Sequence, residues 1–473
     1  MEGFDYDFAV LGGGSAGYAA ASLAARAGLR TVVVDGGPEV GGLCILRGCM
    51  PSKTLLATSA RAEAVRFADK FGVRASFEGV DGALMQERKR ALVSEFAGYR
   101  RGQLESGRFA FLRGRARFVG PHAIALEEVA GVAAGASSLP KTLTAKAFLI
   151  ATGSRIQMPP VPGLEECGSL DSDRFLESEH IPASVIILGG GAIALEAATF
   201  YAGVGSRVTV LQRSGRILKE ADPEVSDALA DGLRSHGIRV ETGTHLRSVS
   251  LGEGGKVVTF TQGGIEKCVV AEEILCATGR GAATEGLGIE VCGIATSGGK
   301  IAAARTQQTS LPHVFAAGDV CGPLEVVHIA IQQAETAARN VVRLLAAAGE
   351  PLEETDYRLK LFAVFSEPGI AMVGLTEAEA GAAGIPFLGA TYPFNDHGKS
   401  MVEGCMHGFV KLLVHAETRE IIGASVVGPH AAELIHEVVV AMHFRATAAD
   451  LARIPHYHPT LSEIWTYPAE ELA

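Results

Sequence analysis

The stretch that most restricts the fold is DYDFAVLGGGSAGYAAASLAARAGLRTVVVD, residues 5–35. An apolar run of strand length enters three consecutive glycines. A helical pattern follows, then a second apolar run that closes on Asp35. Gly12, Gly14 and Gly17 form GxGxxG at the strand-to-helix turn. Glycine there lets the backbone approach a pyrophosphate, whose charge the positive helix N-terminus favours, and the acid ending the second strand accepts from a ribose hydroxyl. Alone the motif is weak; the strand-turn-helix-strand order around it separates a nucleotide site from a bare turn. A gapless second copy, SVIILGGGAIALEAATFYAGVGSRVTVLQRS, spans 184–214. Gly189, Gly191 and Ala194 take the three places, and Gln212 falls where Asp35 fell, followed by Arg213. A carboxylate at that point repels a 2′-phosphate, whereas Gln and Arg bind it. The second copy therefore predicts NADPH over NADH.

Two shorter echoes fit this duplication. AFLIATGS (147–154) and EILCATGR (273–280) are apolar strands ending in Ala-Thr-Gly. TSLPHVFAAGDV (309–320) ends a strand in Ala-Gly-Asp, and the carboxyl ends of strands are where doubly wound sheets bind ligands. The rest of the 473 residues narrows the class by exclusion. The net charge of −11 and the lack of a basic block argue against a nucleic-acid partner. The acidic start MEGFDYDFAV does not read as a signal peptide, and no apolar run reaches membrane length, so no membrane association and a cytoplasmic location are expected.

Eight cysteines in a chain this long make no disulfide scaffold. Cys167, Cys268, Cys276, Cys292, Cys321 and Cys405 are scattered singly and read as small buried apolar residues. Cys44 and Cys49 differ. They lie five apart in GGLCILRGCMPSK, residues 41–53. On a regular helix five residues rise about 7.5 Å, whereas a disulfide wants Cα atoms roughly 4.4–6.8 Å apart. A bridge therefore needs a distorted helix, which Gly41, Gly42, Gly48 and Pro51 permit. Strained or exposed disulfides are the labile, catalytic kind. A helix start and Lys53 both favour thiolate. A zinc site would need closer thiols and a second ligand pair; none appears, and no metal is expected. Thiol exchange needs a proton acceptor, and IPHYHPTLSE offers His456, His458 and Glu463.

Together these elements resemble the FAD-dependent pyridine nucleotide–disulfide oxidoreductases, the family of dihydrolipoamide dehydrogenase, glutathione reductase and mercuric reductase. The likeness runs through GGxCxxxxCxPSK, both fingerprints, the Ala-Gly-Asp element, FSEPGIAMVGLTEAEA (365–380) and HPTLSE (458–463). It implies an α/β fold of two doubly wound Rossmann-like nucleotide-binding domains plus a C-terminal α+β dimerisation domain. The expected division is an FAD domain over 1–154, an NAD(P) domain over 155–281, the FAD domain resumed over 282–350 and dimerisation over 351–473. It implies FAD and NADPH (or NADH) as cofactors, with contacts at Gly12, Gly14, Ser15, Ala16, Gly17, Asp35, Lys53, Ala116, Thr152, Gly153, Arg280, Gly318 and Asp319, and at Gly189, Gly191, Ile193, Ala194, Glu196, Gln212, Arg213 and Gly279. By the same likeness Asp319 meets the flavin ribitol, and Lys53 pairs with Glu196 beside the isoalloxazine ring. Cys49 faces the flavin, Cys44 the external substrate, and His458 is the base, with Glu463 orienting it. The other histidines, His328 and His397 among them, read as structural.

The likeness also ranks substrates. Mercuric reductases carry a C-terminal cysteine pair and an aromatic residue in place of the HPTLSE histidine; the tail here is IWTYPAEELA. Glutathione reductases carry an arginine in the helix after the first glycine loop, where this chain has one only late, at Arg26. Tyr18 and HPTLSE are more like dihydrolipoamide dehydrogenase, which implies a homodimer acting on a small or protein-bound disulfide, with a lipoyl-bearing partner left open. Two features depart from that enzyme: the NADPH-type second copy, and Leu46 where the family has Asn. Retention of Cys44, Cys49, His458 and Glu463 argues against a flavin-binding protein without catalysis.

Overall fold

The computed structural model describes residues 3–129, 139–346 and 349–473. The chain divides into two compact units, the first built from 1–51, 87–157 and 280–356, the second from 52–86, 158–279 and 357–473.

In the first unit, strands Ala110–Arg113, Thr31–Asp35, Tyr6–Leu11 and Thr142–Ile150 lie side by side in that order, all parallel, and Val314–Ala316 pairs parallel with the end of Thr142–Ile150. The period-two alternation of a strand buried on both faces is explicit in Tyr6–Leu11. Phe8 and Val10 face helices Ser15–Arg26 and Val327–Ala346, while Ala9 and Leu11 face a second layer with Phe118, Ile124 and Phe148. Ala20, Ala21 and Ala24 of one helix and Ala334, Ala337 and Ala338 of the other are fully buried. Alanine lets the two backbones pack closely. The antiparallel strands Arg115–Gly120 and Ala123–Glu127 extend the sheet from Thr142–Ile150.

The second unit repeats the parallel motif. Strands Arg239–Glu241, Arg207–Leu211, Ser184–Leu188 and Glu273–Cys276 form its sheet, covered by the antiparallel meander Thr244–Gly252, Gly255–Gln262 and Ile265–Ala271. A five-stranded antiparallel sheet follows, ordered Leu361–Val364, Gly369–Gly374, Ile421–Gly428, Phe409–His415 and Phe387–Pro393. Helices Ala431–His443 and Thr466–Leu472 share its core, in which Trp465 is fully buried and donates Nε1–H to the Leu434 carbonyl at 3.0 Å.

A buried ion cluster joins the nucleotide-type part of this unit to the antiparallel sheet. Lys411, 2% exposed, donates to Asp222 at 3.0 Å and lies 2.8 Å from Glu377, with Glu224 as a third partner. Burial alone would lower the Lys411 pKa, but the three carboxylates outweigh it and hold the ammonium above its usual range. Lys411→Ala strands buried Asp222 without a counter-charge, and the expected loss of stability is about 3–5 kcal/mol, read as a shift of the urea-unfolding transition. A shift worth under about 1 kcal/mol, the worth of an exposed pair, would show the cluster to be surface-like.

The single cysteines depart from the expectation of burial. Cys276 is buried; Cys167, Cys292, Cys321 and Cys405 are half-buried, and Cys268 is exposed. Cys268 lies on Ile265–Ala271, an outer strand of the meander, most of whose residues are exposed. A thiol is small enough to sit on such a strand, and local sequence does not distinguish it from a core strand.

Candidate functional site

The first glycine turn has no room for side chains. A Cβ on Gly12 would lie 2.4 Å from the Ala151 carbonyl oxygen, and one on Gly17 would lie 1.8 Å from the Gly12 oxygen. Helix Ser15–Arg26 starts at Gly14 with no side-chain cap and no acid in its first turn. Its first amides, at Ser15, Ala16 and Gly17, are therefore left for an anion. Asp35 is buried beside them and accepts from the Gly13 amide at 2.8 Å and the Gly37 amide at 2.9 Å. Gly36 packs against Arg115, which brings the strand of Ala116 to the same turn.

At the same carboxyl end of that sheet, Ser154 gathers the other expected residues. It donates to Asp319 at 2.6 Å and accepts from Arg280 Nε at 2.9 Å, and Arg280 Nη2 donates to its carbonyl at 3.0 Å. Thr152 donates to the Ala283 carbonyl at 2.8 Å, and Gly153 turns with φ +71°. Gly318 takes φ +83° and packs against Ala330 and Ala16, so the Asp319 turn borders the start of Ser15–Arg26. An uncapped helix start, a fixed carboxylate beside it and a second carboxylate at the strand ends fit FAD.

The helix around the thiols is interrupted, as the disulfide geometry requires. Cys44 lies in Gly42–Arg47, Cys49 opens Cys49–Arg66, and Gly48 between them leaves helical geometry at φ −138° and ψ −116°. A Cβ on Gly48 would lie 3.2 Å from Cys44 Cα; one on Gly42 would lie 2.6 Å from Gly14 Cα. The thiol segment thus folds back on itself and seats on the glycine turn. Leu46 packs against Gly41. Both thiols are half-buried. Arg100, from helix Gly82–Leu104, stacks on Tyr18 at 4.4 Å and is coupled electrostatically to Cys44. A cation in that position favours thiolate. Burial raises four of the single thiols: Cys321 to about 12, and Cys276, Cys292 and Cys405 as well.

Lys53 is not an uncommitted cation. Its ammonium donates to both oxygens of Glu196, at 2.7 and 2.8 Å, and lies 4.6 Å from the Phe365 ring centre. The Phe365 amide donates to the same carboxylate at 3.1 Å. The pair with Glu196 is the expected one.

In the second copy, Gly189 at φ +120° would place a Cβ 2.3 Å from the Ala277 carbonyl oxygen. Helix Ala192–Gly203 begins at Gly191, again with no side-chain cap and no acid in its first turn. Ile193 is exposed at this helix start, Ala194 is buried behind it, and Gly279 turns at φ +138°. Gln212 packs against Gly190 and donates to Ser214 at 3.1 Å. Arg213 is exposed and, among the described residues, makes no hydrogen bond or ion pair.

Near the C-terminus, His458 Nδ1 donates to Glu463 Oε2 at 3.0 Å. The imidazole is 79% exposed and Glu463 only 12%. This is an orienting carboxylate behind an accessible ring, the arrangement that presents Nε2 as a proton acceptor. The buried Trp465 anchors the turn Ser462–Trp465 that carries Glu463. His456 belongs elsewhere: it pairs with Glu437. His397, expected to be structural, faces the second oxygen of Glu463 at 3.4 Å. Sequence reasoning missed Ser154, Arg100 and His397 as partners. Ser154 follows Ala-Thr-Gly directly and could have been included; the other two carry no local signal.

Among the described residues no helix is long and apolar enough to cross a membrane, and no group of three His, Cys, Asp or Glu is placed to hold a metal.

Residues 6–334 match the pyridine nucleotide-disulphide oxidoreductase profile, and 362–469 match the dimerisation domain of the same name. The chain is 35% identical over 473 residues to a dihydrolipoyl dehydrogenase of Bacillus subtilis (strain 168), covering 97% of this chain and 96% of that one. It is 32% identical over 449 residues to a mercuric reductase of Staphylococcus aureus, covering 94% and 79%. A solved Cu(II) complex of the HOCl-induced flavoprotein disulfide reductase RclA from Escherichia coli superposes with a TM-score of 0.83 at 25% identity, covering 99% of both chains. With its duplicated nucleotide folds and these relatives, the chain belongs to the pyridine nucleotide–disulphide oxidoreductases, and it is an FAD- and NAD(P)H-dependent disulfide oxidoreductase of the dihydrolipoyl dehydrogenase-like kind.

Proposed function

We propose that the protein exchanges electrons between a nicotinamide and a dihydrolipoamide-type dithiol, through Cys44 and Cys49, with His458 as the proton carrier. The observation that supports this most is the exposed His458 held at Nδ1 by a nearly buried Glu463. FAD, when bound, supplies the two-electron exchange between nicotinamide and thiol pair. In the direction of disulfide reduction, the Cys44 thiolate attacks the external disulfide, and the departing thiolate takes a proton from His458. The Cys49 thiolate then attacks the Cys44 sulfur, the Cys44–Cys49 disulfide forms, and the second sulfur leaves as a thiolate that takes its proton from solvent. Arg100 favours the attacking thiolate, and Glu463 stabilises the charged imidazole.

The domain division at 154, 281 and 350 is part of this reading; unit breaks at 157, 279 and 356 support it, while 52–86 groups with the second unit rather than with the rest of 1–154. So is a homodimer: the dimerisation domain leaves Val440, Phe444, Ile454 and Tyr457 exposed, and exposed apolar side chains mark interfaces. A lipoyl-bearing partner protein and a cytoplasmic, reducing setting belong to the same proposal. Steady-state turnover with dihydrolipoamide, lipoamide and oxidised glutathione, each with both nicotinamides, tests it. Dihydrolipoamide and lipoamide should be preferred over glutathione. Turnover with Cu(II) or Hg(II) and with no disulfide would overturn it.

Nucleotide choice is tested separately. The chain should show a higher kcat/KM with NADPH than with NADH, and Arg213→Ala should erode the preference tenfold or more, since a charged contact to the 2′-phosphate is worth roughly 1.5–3 kcal/mol. Equal use of both nucleotides by the unaltered protein would sink this assignment without touching the thiol chemistry.

A further inference from the structure

Glu463 carries two imidazoles. Its Oε2 faces His458 Nδ1 at 3.0 Å and its Oε1 faces His397 Nε2 at 3.4 Å. The rings have opposite surroundings, His458 at 79% exposure and His397 at 0%. His397 lies between the turn Phe394–Asp396 and the short helix Gly398–Glu403, and its Nδ1 is 2.8 Å from Ser400 Oγ. Its Nε2 is buried and, among the described residues, has no closed hydrogen bond; Glu463 Oε1 is the acceptor it faces. Tyr467 stands edge-on to the His397 ring and stacks flat on Tyr392 at 3.9 Å, and the Tyr392 hydroxyl donates to Asp396 at 3.0 Å. The pocket around His397 is therefore walled.

We propose that His397 is a positioning residue for the base: its Nε2–H restrains Glu463 so that the other carboxylate oxygen stays aimed at His458. The inference rests on the reading of His458 as the proton carrier and adds a residue to that site. A neutral imidazole has one donor and one acceptor nitrogen. Glu463 Oε1 can only accept, so the proton sits on Nε2 and Nδ1 takes the Ser400 hydroxyl as its donor. Burial pulls the His397 pKa below its ordinary value, against the opposing pull of Glu463, which favours the neutral ring. A charged His397 would cancel the Glu463 charge and deprive the His458 imidazolium of its counter-ion; a neutral donor restrains the carboxylate and leaves that charge intact. At 3.4 Å the contact is longer than an ordinary hydrogen bond, so it limits carboxylate rotation rather than locking it. The expected effect is therefore at the low end for a bond to a charged group.

The test uses the full chain purified with its FAD and compares His397→Leu, His397→Gln, Ser400→Ala and His458→Gln. Three quantities are read: kcat and KM for dihydrolipoamide, the rate at which nicotinamide reduces the flavin anaerobically, and the unfolding temperature. His397→Leu should lower kcat roughly tenfold, with KM and flavin reduction near native. His397→Gln, whose amide can put an N–H close to the place of Nε2, should recover most of that loss. A merely structural role predicts that Gln does no better than Leu and that the loss follows the unfolding temperature. If the leucine variant does not fold, Ser400→Ala carries the test, with a fall of roughly threefold expected at native unfolding temperature. Native kcat in His397→Leu, or in Ser400→Ala where it carries the test, while His458→Gln is crippled would overturn this inference and leave the base in place. Native turnover in His458→Gln would overturn the base and this inference with it.

Discussion

Cys44→Ser should lose disulfide turnover by roughly three orders of magnitude or more, because the attacking sulfur is gone and nothing else in the thiol segment can replace it. The variant should nonetheless bind FAD, since the uncapped turn at Gly14, the fixed Asp35 and the Ser154–Asp319 pair are untouched. If Cys49 is the thiol facing the flavin, Cys44→Ser leaves a lone thiolate against the oxidised ring, and a long-wavelength charge-transfer absorbance should appear. Cys49→Ser should be equally inactive and show no such band. The band in Cys49→Ser and its absence in Cys44→Ser would exchange the two roles. The seating of the segment makes the experiment clean. Gly42 against Gly14 and Gly48 against Cys44 hold the backbone, so an oxygen in place of one sulfur changes chemistry and little else.

His458→Gln is the second large effect. It should remove most disulfide turnover and leave nicotinamide-driven flavin reduction near native, because hydride transfer needs no base of this kind. Cys44 belongs to one compact unit and His458 to the other, and in the resembling family the dimerisation domain of one subunit completes the site of its partner. A twofold axis repeats any such contact. Mixing Cys44→Ser chains with His458→Gln chains, under conditions that let subunits exchange, therefore gives dimers with one doubly defective site and one intact site. Activity should return, approaching half the native value per mixed dimer. If thiols and base came from a single chain, every site would keep one defect and the mixture would stay inactive.

How much of this was legible beforehand follows the range of the interactions. The two glycine fingerprints, the thiol segment and HPTLSE are local: each packs its meaning into a few consecutive residues, because a turn that must admit a phosphate or break a helix is built from neighbours. Gly12, Gly17 and Gly189 occupy positions where a Cβ would strike a carbonyl oxygen, so the sequence had no other residue to offer there. Gly48 breaks the helix between the thiols for the same kind of reason. The pair of Lys53 with Glu196 spans 143 positions and was anticipated only through family likeness; neither residue signals the other.

What the tertiary structure alone decided is which charges are already satisfied and by whom. Lys53 looks like one more free cation until Glu196 is seen to hold it, and Arg100 looks like one more charge on a polar helix until it is found stacked on Tyr18 and coupled to Cys44. Cys268 reads like the other single cysteines until its strand proves to be an outer one of a meander. His397 reads as a structural histidine, and by burial it is one, yet the fold delivers its Nε2 to the carboxylate behind His458. Composition and spacing determine which chemistry a chain can support. Burial and pairing across distant segments determine which of its charged groups remain to carry that chemistry out, because they depend on partners that no local pattern names.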